Sequence, residues 1–104
     1  MKIHKTEMGE TVYISGPMSG LPKGKVRRTF RQAEFLLSLA GFRPVNPDKN
    51  PVGRFGDWGM CMRSDLAMLD ACDAVAMLPG WEHSKGATIE KLYAEVCGKT
   101  ILYL

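Results

Sequence analysis

The chain has little of what marks several common protein classes. Its 104 residues hold only three cysteines, Cys61, Cys72 and Cys97. They form no C-x-x-C pair and are odd in number, so they read as buried free thiols, not as a disulfide framework. The two histidines, His4 and His83, lie far apart in the chain, so no metal site is implied. No apolar run is long enough to span a membrane. The start, M-K-I-H-K-T-E-M-G-E, lacks the apolar stretch of a signal peptide, and a cytoplasmic location is the default expectation. Net charge is only +3, too small a surplus to argue for binding a nucleic-acid polymer. Internal repeats and low-complexity segments are absent.

What is present suits one small domain over residues 1–104. With 45% hydrophobic residues the chain can bury a modest core. Four strand–helix alternations are legible. T-V-Y-I-S over 11–15 is β-branched and aromatic and stops at Gly16 and Pro17. The loop G-P-M-S-G-L-P-K-G follows. From about Lys25 to Ala40, Val26, Phe30, Ala33 and Leu37 recur at helical spacing, and Gly41 closes the helix. F-R-P-V-N-P is a short second strand, and residues 46–56 form a loop rich in Asn, Pro and Gly. A second helix runs from about Asp57, its N-cap, to Ala71, with Trp58, Met62, Leu69 and Cys72 on its apolar face. A-V-A-M-L reads as a central parallel strand. A third helix carries Glu90 and ends at Gly98, and T-I-L-Y-L is the last strand. This order predicts an α/β fold: a four-stranded parallel sheet, order 2-1-3-4, with helices on both faces. The order reverses between the first and third strands. The loops after them should therefore line one crevice.

Two carboxylates point to chemistry in that crevice. Glu90 falls in the apolar arc of Ala87, Ile89, Tyr93, Ala94, Val96 and Cys97, with Thr88, Lys91 and Glu95 opposite. No cation stands at i±3 or i±4 to pair with it. A carboxylate on an inward face is costly unless it is paired or used. Asp65 projects into the apolar face of the preceding helix. Such a pair suits displacement at an anomeric carbon, one group as nucleophile and the other handling protons or hydroxyls. The alternative for Asp65 is a structural hydrogen bond to a helix end. Tyr13, late in the first strand, is placed to reach a carboxylate, though strand tyrosines are more often core. Ser15, Gly16, Ser19 and Gly20 make a small-residue loop that allows close approach of a ligand and supplies hydroxyls. It is neither a Walker A loop nor G-x-G-x-x-G. Ser84 and Gly86 open the Glu90 helix, where free N–H groups favour an anion and Ser84 also reads as a plain N-cap. Trp81 is a base-stacking candidate or, like Trp58, a hydrophobic plug. The basic run Lys23, Lys25, Arg27, Arg28 and Arg31 reads first as an ordinary solvated face; attraction of an anionic substrate is the alternative.

Taken together, Y-I-S-G-P-M-S-G, G-F-R-P-V-N-P, W-G-M-C-M-R-S-D-L, C-D-A-V-A-M-L-P-G-W-E and S-K-G-A-T-I-E resemble the nucleoside 2-deoxyribosyltransferase-like family, in a compact branch common in phages and bacteria. The resemblance runs from Tyr13 to about Thr100 and implies a Rossmann-like sheet, a homodimer and no cofactor. It matches Glu90 to the nucleophile that attacks the deoxyribose anomeric carbon, Asp65 to the assisting aspartate, and Tyr13 to the tyrosine that holds the glutamate. The loop Ser15–Gly20 matches the substrate loop. Where the transferases place an aspartate for the free 5′-hydroxyl, six residues before the nucleophile, this chain has Ser84. Serine there is similar to the deoxynucleoside 5′-monophosphate N-glycosidases. Pro17 departs from their phosphate-binding serine, and the C-terminal elements of larger members are not matched within the 104 residues. The implied partner is a nucleoside or nucleotide. The implied reaction is hydrolysis or transfer at its N-glycosidic bond. The alternative is a non-catalytic nucleotide-binding domain of the same fold.

Overall fold

The computed structural model describes residues 10–54 and 56–104. His4 and the first nine residues, on which the signal-peptide reading falls, lie outside the described residues. Strand β1 is Thr11–Ser15, β2 Arg43–Val45, β3 Ala74–Met77 and β4 Thr100–Tyr103. Helix α1 is Lys23–Leu39, α2 Trp58–Asp70 and α3 Lys85–Val96. All strand pairs are parallel and the sheet order is β2-β1-β3-β4, as the alternation of elements predicts. Short 3-10 turns at Pro47–Lys49, Pro51–Arg54 and Trp81–His83 occupy the connecting loops.

The sheet divides the core into two layers because side chains alternate along a strand. Val12 and Ile14 of β1, with Ala74 and Ala76 of β3, face α1 and its buried stripe of Val26, Phe30, Ala33 and Leu37. Tyr13 of β1, with Val75 and Met77 of β3, faces α2 and α3 and meets Leu69, Cys72, Ala87 and Ala94. Both central strands are buried on both faces, which is why A-V-A-M reads as a continuous apolar run. Gly41 and Gly98 end α1 and α3 with φ of 95° and 73°, a conformation that glycine adopts without steric cost.

Several expectations need correction. Helix α1 begins two residues earlier than periodicity suggests, at Lys23, because Pro22 has no N–H to lose and serves as its N-cap. Of the three cysteines only Cys72 is buried; Cys61 is half-buried and Cys97 exposed. Val96 and Cys97 stand outside the buried face of α3, which narrows to Ala87, Glu90 and Ala94. Trp58, expected on the apolar face of α2, is 45% exposed, whereas Met62 is buried.

Gly16 shows how tightly the first loop sits on the sheet. A Cβ at this position would lie 2.7 Å from both Cβ and Cδ1 of Leu78. The glycine is therefore demanded by the approach of the loop to the end of β3, and a ligand is not needed to explain it. Leu78 is 3% exposed and cannot swing into solvent. Gly16→Ala is expected to destabilise the fold by about 1–3 kcal/mol through overpacking. Urea unfolding should show a lowered midpoint, and an unchanged midpoint would mean the loop yields freely.

Candidate active site

Alternation along β1 places Tyr13 and Ser15 on one face, one residue apart, pointing toward α3. Glu90 sits in the second turn of α3, directly over them. The Tyr13 hydroxyl donates to Glu90 Oε2 at 2.7 Å, and the Ser15 hydroxyl donates to Glu90 Oε1 at 2.7 Å. Each carboxylate oxygen thus holds one short bond from the central strand. Ionised carboxylates have about four acceptor sites, so lone pairs remain on both oxygens. Glu90 is 6% exposed, and that exposure is toward a cleft at the C-terminal edge of the sheet.

The electrostatics follow from this burial. Loss of hydration pushes the Glu90 carboxyl up to about 7; the hydroxyls of Ser15 and Tyr13 oppose the rise, and the nearby Asp65 carboxylate adds to it. Glu90 is therefore poised between its two states near neutral pH. Burial, then the Glu90 charge, drives the Tyr13 phenol far above its ordinary range, so it remains a donor. Asp65 is half-buried on α2 and is also raised by burial, with a hydrogen bond from Asn50 opposing the shift.

The cleft encloses about 1150 Å³. Both loops at the switch in strand order contribute: Gly16, Pro17, Met18 and Ser19 after β1, and Gly80, His83, Ser84, Lys85 and Gly86 after β3. Tyr13, Asp65 and Glu90 line it together. Three predicted positions, Ser15, Gly20 and Trp81, lie off the lining. Ser15 lies beneath the cleft, its hydroxyl committed to Glu90. Gly20 lies off the lining and has φ of 80°, a turn requirement. Trp81 also lies off the lining: its ring packs 6.2 Å from that of Tyr103, with Lys91 over it at 5.2 Å. Ser84 caps α3, accepting from the Ala87 N–H at 3.2 Å, which leaves its own O–H free to donate.

Other residues enter the site that the sequence reading left aside. Trp58 lines the cleft with an exposed indole, and the Lys85 ammonium sits 4.8 Å from its ring centre. Lys23, Arg27 and Arg31 also line it while remaining exposed, so this part of the basic run borders both the cleft and solvent. Their spacing of four residues was the available signal, since i, i+4 and i+8 share a helix face. Asn50 was hidden in an unpatterned loop. Its Nδ2 donates to Ser64 Oγ at 2.7 Å and Asp65 Oδ1 at 3.3 Å, while its Oδ1 accepts from the Val52 N–H at 3.1 Å. Asn50 thereby ties the loop to α2 and orients Asp65. Among the described residues, no group of His, Cys, Asp and Glu is arranged to hold a metal ion.

Comparison with known proteins agrees with this architecture. No curated protein matches the chain. Among solved structures it is similar to a 2-desoxiribosyltransferase from Leishmania mexicana, with a TM-score of 0.69 and 23% identity over 91% of this chain. It is also similar to the CMP N-glycosidase BcmB from Clostridium botulinum, with a TM-score of 0.61 and 21% identity over 90% of this chain. The chain spans 63% of the length of the first and 67% of the second. The model of the domain of unknown function DUF4406 matches residues 10–103. With nearly the whole described fold inside that match, the chain belongs to the DUF4406 family, and its fold is nucleoside 2-deoxyribosyltransferase-like.

Proposed function

We propose that the protein hydrolyses or transfers at the N-glycosidic bond of a deoxynucleoside or its 5′-monophosphate, with Glu90 as nucleophile. The observation that carries this reading is the Glu90 carboxylate, buried at the cleft floor and held at both oxygens by Tyr13 and Ser15. A structural carboxylate at such a position would be expected to face a cation, and Glu90 faces two hydroxyls and a cavity. The likeness in fold to two proteins named for a deoxyribosyl transfer and an N-glycosidase supports the same chemistry.

In this mechanism Tyr13 and Ser15 fix the carboxylate so that a lone pair points at the sugar C1′. The C1′–N bond breaks as the C1′–O bond to Glu90 forms, and the base leaves with the bonding electrons. Asp65, whose proton affinity burial raises, gives a proton to the departing base or binds a sugar hydroxyl. Water or a second base then attacks C1′ and releases Glu90. Ser84, with its free O–H, and the first N–H groups of α3 are placed for the 5′-substituent.

Base release from deoxynucleosides and their 5′-monophosphates is the direct assay. Glu90→Gln should lower it by at least about 10³-fold, as expected for loss of a nucleophile. Binding of nucleotides with no release by the unaltered protein would instead identify a recognition domain. Tyr13→Phe removes a bond that favours the ionised form, so Glu90 should titrate higher. The acid limb of the kcat/KM profile, near pH 7 in the native protein, should move to higher pH, with activity down by about ten- to a hundredfold.

Stability supplies a separate check on Glu90. Its folded-state value, about 7, lies above the ordinary carboxylate value of 4.5, so between these pH values the unfolded chain releases a proton that the folded chain retains. Stability contributed by neutral Glu90 is complete below about pH 4.5 and falls as pH rises toward 7. Relative to Glu90→Gln, the native protein should lose about 3 kcal/mol across that window, measured by urea unfolding at several pH values. A constant difference would mean that Glu90 stays ionised throughout.

A further inference from the structure

One wall of the cleft carries more positive charge than glycosidic chemistry requires. Helix α1 lines it with the exposed side chains of Lys23, Arg27 and Arg31, while Lys25 and Arg28 of the same helix stay off the lining. At 1.5 Å of rise per residue the three heads are spread along about 12 Å. Among the described residues no carboxylate makes an ion pair with any of the three. Glu34, on which Arg31 acts at longer range, is held by Lys49 at 2.8 Å.

This arrangement is unfavourable for the helix by itself. Cations near a helix N-terminus oppose its dipole, and the first turn of α1 has no acidic residue to offset them. Like charges at four-residue spacing also repel. An anion along the wall would relieve both. The cleft volume of about 1150 Å³ is likewise above the roughly 300–1,000 Å³ usual for one small ligand.

We propose that the cleft takes a nucleotide bearing a chain of two or more phosphates, laid along Lys23, Arg27 and Arg31 with the sugar at Glu90. This rests on the nucleotide reading of the site given above. Each added phosphate brings negative charge within reach of a further cation on the stripe, which a monophosphate leaves largely unused. The bond that breaks is still the glycosidic one; the phosphates bind and are not transferred. A single-stranded nucleic acid is also a polyanion, but its successive bases need successive aromatic platforms. Of the described Phe, Tyr and Trp residues lining the cleft, Tyr13 and Phe30 are buried, and Trp58 presents an open ring. One platform suits one base.

The test is calorimetric titration of the full chain carrying Glu90→Gln, so that no substrate is consumed, at one fixed ionic strength. The ligands are a deoxynucleoside, its mono-, di- and triphosphate, and a short single-stranded oligonucleotide. The triphosphate should bind at least about tenfold tighter than the monophosphate, the order of one extra close ion pair. Adding Arg27→Ala and Arg31→Ala should bring that ratio to within about twofold, whereas Lys25→Ala with Arg28→Ala, the same charge change off the lining, should preserve it. Thermal unfolding of both double variants verifies that each is folded. Equal affinity for mono- and triphosphate, a ratio unaffected by the Arg27/Arg31 change, or tightest binding of the oligonucleotide would each overturn the proposal. Base release by the unaltered protein separates the two readings. Selective triphosphate binding without release would remove the glycosidic chemistry and leave this inference standing. Release from the monophosphate with no polyphosphate preference would do the reverse.

Discussion

The Glu90 carboxylate binds helix α3 to the central strand, and the site depends on that junction. A buried carboxylate without partners would cost several kcal/mol and would tend to push its helix away from the sheet. Here the cost is offset by two short hydroxyl bonds, one to each oxygen, from Tyr13 and Ser15. Neither donor is a cation. The carboxylate is therefore held in place without being neutralised, and its proton affinity is left near neutrality. A lysine or arginine in the same place would stabilise the junction but hold the carboxylate in its charged form.

The surrounding structure serves this junction from both sides of the sheet. Strand β1 is flanked by β2 and β3, so the residues that hold Glu90 sit on one of the two central strands of the fold. Gly16 lets the chain turn closely over Leu78, and the loop that follows lines the cleft above Glu90. Asn50 performs a parallel task on the other carboxylate, joining a loop of little regular structure to α2 at Asp65. The cationic wall of α1 lies on the opposite face of the sheet from α2 and α3 and meets them only where the strands end. The cleft thus collects residues from both layers, as a switch in strand order requires.

Much of this was legible in the residues. The apolar run A-V-A-M, the helical spacing of Val26, Phe30, Ala33 and Leu37, and the glycines at 41 and 98 each report a local preference that the fold agrees with. The inward position of Glu90 was legible for the same reason: a 3.6-residue period is a property of the segment alone. So was the pairing of Tyr13 with a carboxylate, as a possibility. What failed were statements about exposure at the edges of helices. Val96 and Cys97 belong to the apolar arc of α3 by periodicity yet stay in solvent, because the sheet reaches only as far as Ala94.

The sequence by itself determined the alternation of elements, the sheet order and the two inward carboxylates, because these follow from period, turn chemistry and chain handedness. Tertiary structure alone decided which side chains share the cleft. Ser15 and Ser84 look alike as loop hydroxyls, yet one is buried under Glu90 and the other caps α3 at the cleft wall. Trp58 and Trp81 look alike as loop-side indoles, yet only Trp58 faces the cavity. Five cations follow β1 in the chain, and the rotation of α1 against the sheet brings three of them to the border of the cleft. Period assigns a residue to a face. What that face meets depends on where another element, distant in sequence, comes to rest.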